Sequence, residues 1–75
     1  MTKNFKELRM QAALDTKTAA EMLEISLSLL YKIEQGYRVP SRALILKMSE
    51  IYHCSTDQIF LIINLTSGDK NKLVM

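Results

Sequence analysis

Seventy-five residues with a mass of 8.6 kDa make one small domain, too short for a second domain, a membrane bundle or a cofactor-binding α/β sheet. Hydrophobic residues are 48% and charged residues 24% of the chain, ordinary globular usage rather than that of a disordered tail. The net charge is +2 and the pI about 8.8, short of the pI above ~9 that marks a nucleic-acid binder by composition, so function has to be sought in the order of residues.

Taken along the chain, the pattern is a string of short helices. Asn4 is placed to cap a first helix reaching Leu14, with Phe5, Leu8 and Ala12 at helical spacing. Asp15 caps a second, Thr16 to about Leu23, whose apolar stripe is Ala19, Ala20 and Leu23. Ser26 caps a third, which turns Leu30 and Ile33 inward and stops at Gly36, a residue that tolerates left-handed geometry. Past Pro40, Ser41 caps a fourth helix with Leu44, Ile45, Met48 and Ile51-Tyr52 facing the core. Ser55-Thr56-Asp57-Gln58 matches a capping box and opens a fifth helix through Ile59-Phe60. Leu61 to Leu65 is short and rich in β-branched residues; it extends the last helix or forms an edge strand, and periodicity does not choose. Lys70 to Met75 reads as a mobile end. The fold class expected is all-α with five helices: a domain over residues 1–60 and a tail over 61–75.

The segment from Thr16 to Gly36 carries the chemistry. Two short helices meeting at a sharp angle need a small residue at their contact, which Ala20 supplies. They also need an apolar residue in the joint, Ile25, and apolar anchors under the second helix, Leu30 and Ile33. The outer face of helix three is then free for a partner, and Leu27, Ser28, Tyr31 and Lys32 form one exposed strip on it. A helix of this size fits the ~12 Å major groove of DNA, where the base edges are distinguishable.

At these residues the chain resembles a known family. Leu8-Arg9, Ala19-Ala20-Glu21-Met22-Leu23, the run from Ile25 through Pro40-Ser41, and Cys54-Ser55 with Asp57-Gln58-Ile59-Phe60 are similar to the XRE family. These are the Cro- and phage-repressor-like helix-turn-helix DNA-binding proteins. The likeness spans about residues 5 to 60, and Lys32-Ile33-Glu34-Gln35-Gly36 through Ser41 is close to the family's exit from helix three. It implies a five-helix domain that docks helix three in the major groove, usually as a dimer on a palindromic site. Leu27, Ser28 and Lys32 match the positions that meet base edges. Thr16 stands where the family often has a glutamine bonded to phosphate; threonine is shorter, which shifts that contact toward the backbone N–H at the helix start. Gln35 stands where asparagine is common and keeps an amide for phosphate. Arg9 and Glu34 match positions that pair across helices one and three.

Beyond the resemblance, Lys32 suits guanine O6/N7 or a phosphate, Ser28 discriminates little, and Leu27 suits a thymine methyl or packing within the protein. Tyr31 reads as a packing residue whose hydroxyl reaches a phosphate. Lys17, Lys32, Arg38 and Arg42 are expected on one face, where Asp15 is the main opposing acid, so the modest net charge conceals a polarised surface. Double-stranded DNA is the partner this implies.

The apolar stretch with Ile59, Phe60, Leu61 and Ile63 is the expected homodimer surface. The same stretch suits a rival reading, an antitoxin-type module that grips a protein partner and binds DNA secondarily. Lone Cys54 and adjacent His53 lack companion ligands, so neither a disulfide nor a metal or other cofactor is expected. No triad spacing or cleft argues for an enzyme or a small-molecule ligand. The longest nearly apolar run, Ile59 to Ile63, is far below the ~20 residues that span a bilayer, and no secretory signal is visible. A cytoplasmic transcriptional regulator, more specifically a repressor, is the function expected.

Overall fold

The computed structural model describes the backbone of residues 4–67 and the side chains of residues 4–64. Among the described residues there are five helices and no strand: α1 (Phe5–Gln11), α2 (Thr16–Leu23), α3 (Leu27–Glu34), α4 (Arg42–Tyr52) and α5 (Thr56–Ser67). The all-α architecture is the one the sequence predicts.

Each helix begins where a short polar side chain accepts the backbone N–H three residues ahead. Asn4 Oδ1 accepts from Glu7 N at 2.8 Å, and the Asn4 N–H donates to Glu7 Oε1 at 3.1 Å, closing a capping box. Asp15 accepts from Thr18 N at 2.7 Å, Ser26 from Leu29 N at 3.0 Å, Ser41 from Leu44 N at 3.2 Å and Ser55 from Gln58 N at 3.1 Å. Each such cap is worth about 1 kcal/mol. Together they fix where five short helices start in a chain with little core to spare.

The exits are left-handed. Glu24, His53 and Gly36 take φ of 61°, 56° and 87°. Only at Gly36 is the missing Cβ an advantage; the other two bear a local strain of about 1 kcal/mol each. The first helix ends three residues before the expected Leu14. Ala13 turns left-handed at φ 61°, Leu14 N returns to Arg9 O at 3.2 Å, and Arg9 Nη1 donates to the Leu14 carbonyl at 3.0 Å. That captured carbonyl pulls the chain out of the helix and leaves Asp15 free to cap α2.

α2 packs on α3 and α4, α1 bridges α3 and α4, and α5 lies on α4. Their inner faces meet in a core whose fully buried side chains are Leu8, Leu23, Leu30, Ile33, Met48, Ile59 and Ile62. The Tyr52 hydroxyl is buried there without a hydrogen-bond partner among the described residues, and burial, helped by nearby Glu34, pushes its pKa up to about 12.

Of the two conformations left open for residues 61–65, helix or edge strand, the structure takes the helix, since α5 runs unbroken to Ser67. Ile59 and Ile62, one turn apart, are both buried against the core, and Ile63 beside them is half-buried. Ile59 therefore belongs to the protomer's own interior and is withdrawn from the expected dimer surface. Phe60 and Leu61 are exposed, at 46% and 47%. The end expected to be mobile, Lys70 to Met75, lies outside the described residues. Among the described residues, no helix is long and apolar enough to cross a membrane.

Candidate nucleic-acid interface

The joint between α2 and α3 is built from small and branched apolar residues. Ala19 and Ala20 are buried where the two helices meet, Glu24 makes the left-handed turn, and Ile25 N returns to Ala20 O at 3.0 Å. Ser26 then starts α3 in a new direction, and Leu30 and Ile33 anchor it. Leu27, Ser28, Tyr31 and Lys32 are left on the outside, with Leu27 39% and Tyr31 44% exposed. Large apolar and aromatic surface thus stands in solvent on the same strip as a lysine and a serine. After α3 the chain folds back, with Tyr37 N and Arg38 N both donating to Lys32 O, at 2.8 and 3.3 Å. Arg38 is thereby tethered at the C-terminal end of the strip.

The flanking residues fall into three places. Thr16, Tyr31 and Gln35 share one polar groove, together with Asn4, Lys6, Arg9 and Glu34. Thr16 Oγ1 and Tyr31 Oη lie 3.4 Å apart within it. Lys17 and Arg38 are exposed outside that groove. Arg42 stands apart at the start of α4 and edges a different groove, formed with Ile45, Leu46, Thr56 and Phe60 between α4 and α5.

Ion pairing decides which charges remain available. Arg9 and Glu34 pair through Nε–Oε2 at 2.7 Å and Nη2–Oε1 at 3.3 Å, with both side chains 9% exposed. The bond to Glu34 raises the Arg9 pKa above its ordinary value. On the surface, Lys47 Nζ holds Glu24 Oε1 at 2.6 Å, and this contact lowers the Glu24 carboxyl pKa. Lys6, Lys17, Lys32, Arg38 and Arg42 carry no ion pair among the described residues. Glu7, Asp15, Glu21, Glu50 and Asp57 likewise carry none, so what an anionic partner meets depends on the face each charge occupies and not on the +2 of the whole chain.

A scan of family models matches a helix-turn-helix domain over residues 4–59. The chain belongs to the XRE-type helix-turn-helix family. Members are DNA-binding transcriptional regulators, and α2, the turn at Glu24 and α3 are the motif. Among curated proteins, the HTH-type transcriptional regulator ImmR of Bacillus subtilis (strain 168) is 40% identical over 57 residues, which is 76% of this chain. The chain spans 45% of the length of that relative. No solved structure gives a significant match.

In this helix-turn-helix domain one acid stands out. The Asp15 carboxyl is held below the usual carboxylate range by the backbone N–H of Thr18, with Arg9 and Lys17 adding smaller effects. A depressed folded-state pKa contributes stability that is present above the unfolded value and lost as pH falls through the folded one. Asn caps as well as Asp without the charge. Asp15→Asn is accordingly expected to keep the melting temperature at pH 7 within a degree or two. It should flatten the loss of stability below about pH 4 and tighten DNA binding at low salt, as thermal melts across pH and binding titrations would register.

Sequence reasoning missed two residues. Leu46 is 55% exposed beside Phe60, and as one apolar residue in an amphipathic helix it gives no signal of its own. Lys6 joins the groove of Thr16, Tyr31 and Gln35 only because the Arg9–Glu34 pair brings α1 against α3. No local motif announces that.

Proposed function

We propose that this domain is a sequence-specific transcriptional repressor that binds a palindromic operator as a homodimer, with α3 of each protomer in the major groove. The observation that carries this reading is the exposed strip Leu27, Ser28, Tyr31 and Lys32 on a helix whose opposite face is locked into the core. Lys17, Arg38 and Arg42 on flanking segments supply unpaired cations for phosphates, and Thr16 and Gln35 supply neutral donors. Repression would follow from occlusion, since a bound operator is closed to other proteins.

Dimerisation uses Phe60, Leu61 and the half-buried Ile63 on α5, joined by Leu46 on α4. Exposed apolar side chains so close together are a liability in a lone protomer, and pairing lets two copies of α3 meet half-sites about 34–36 Å apart. The same apolar surface supports a second reading, an antitoxin-type module in which it grips a different protein.

Selection of bound duplexes from a random pool decides between them. An enriched inverted repeat with half-sites one helical turn apart, bound by a species of twice the protomer mass in sedimentation, is the result expected. Failure to enrich any sequence would remove the repressor reading and leave the interaction module.

A further inference from the structure

The turn between α2 and α3 rests on a residue poorly suited to it. Glu24 leaves α2 in the left-handed region at φ 61°, where its β-carbon crowds the following carbonyl and glycine would fit without strain. Its N–H returns to the Ala20 and Glu21 carbonyls. The next N–H, of Ile25, bonds Ala20 O at 3.0 Å, and Ser26 then caps α3. The direction of α3 is therefore set within two residues of Glu24. A non-glycine residue persists in such a conformation only where its surroundings over-determine it.

Those surroundings lie on α4, outside the helix-turn-helix. Lys47 Nζ meets Glu24 Oε1 at 2.6 Å. Lys47 comes from a fixed element, because α4 packs on α2 and buries Leu44, Ile45 and Met48 around it. The two side chains are 42% and 77% exposed, and a pair so open to water adds little to stability. At most it offsets the strain at Glu24, so net stability does not account for it. Its effect falls on geometry: glycine would let the turn sample both signs of φ, whereas a carboxylate tied to α4 keeps one. We propose that Glu24 and Lys47 are positioning residues for DNA readout, their ion pair fastening the turn to α4 and fixing the angle at which α3 meets the major groove. Neither side chain has to touch DNA. The inference rests on the DNA-binding reading and adds to it a part for α4.

The experiment compares Glu24→Gly, Lys47→Met and the exchanged pair Glu24→Lys with Lys47→Glu against the unaltered protein, on the selected operator and on a mixed-sequence duplex at one salt concentration. Glu24→Gly removes a negative charge and Lys47→Met a positive one. A direct action of either charge on DNA would therefore move affinity in opposite directions, and on both duplexes alike. Positioning instead lowers the ratio of operator to mixed-sequence affinity in both variants, by roughly threefold to tenfold, without loss of melting temperature. The exchanged pair should restore the ratio. In the free protein, the Ile25 N–H should exchange several-fold faster in Lys47→Met, while the Leu30 N–H, bonded to Ser26 O at 3.1 Å, holds its rate. Opposite shifts in affinity at a constant ratio overturn the proposal, as does an exchanged pair that leaves the ratio low. If the unaltered protein enriches no sequence, the repressor reading falls by itself, and an unchanged exchange rate at Ile25 overturns the clamp separately.

Discussion

Replacing Ser28 and Lys32 together by alanine should sharply reduce discrimination for the selected operator while leaving the fold untouched. Both side chains are exposed on α3, and alanine is a better helix former than either residue, so the melting temperature should hold or rise slightly. A good contact to a base edge is worth about 1–3 kcal/mol. Losing the Lys32 contact in each protomer, with a small further share from Ser28, weakens specific binding by about 1–3 kcal/mol per half-site, roughly fivefold to a hundredfold or more. Non-specific binding should fall far less, because it runs on the summed phosphate contacts, of which Lys32 would be at most one. The ratio of operator to mixed-sequence affinity, measured at one fixed salt concentration, is therefore the decisive quantity. If the double variant keeps that ratio, α3 is not the reader and the site assignment fails. Leu27 adds a finer distinction. At 39% exposure, its replacement by alanine should relax preference at a single thymine position if it touches DNA, and shift only the melting temperature if it packs within the protein.

What could be read from the chain alone was whatever short spacing determines. The caps at Asn4, Asp15, Ser26, Ser41 and Ser55 all lie three residues before the N–H they accept, a relation fixed within one turn. The outward strip of α3 and its inward Leu30 and Ile33 follow from the helical period. The features that escaped depend on contacts between distant segments. α1 stops at Gln11 because Arg9, already held by Glu34, reaches the Leu14 carbonyl, and no propensity foretells that. In the stretch Ile59 to Ile63 every position is apolar, so the sequence contains no inner and outer face to tell apart. Only packing on α4 buries Ile59 and Ile62 and exposes Phe60 and Leu61. Ile59 was thus a natural choice for an interface and is a core residue instead. Lys6 escaped for a related reason: its neighbours Thr16, Tyr31 and Gln35 all come from elsewhere in the chain.

Arg9→Leu, which breaks the pair with Glu34, should be the most damaging single change in the domain. The substitution leaves Glu34, 9% exposed, without either of its two guanidinium bonds, and strips the Leu14 carbonyl of its donor. Stranding one partner of a buried pair costs about 3–5 kcal/mol, comparable to the few kcal/mol that a single core supplies to a chain of this length. Urea or thermal unfolding should accordingly find the variant largely unfolded near 37 °C. Arg9→Lys should recover only part of the loss, since one ammonium cannot reproduce the paired bonds to Glu34 and the third to Leu14. The double replacement Arg9→Leu with Glu34→Leu should be markedly more stable than Arg9→Leu alone, because no charge is then left buried. That ordering separates a desolvated pair from a solvated one: if Arg9→Leu costs less than about 1 kcal/mol, the pair behaves like a surface bridge and does not hold α1 in place.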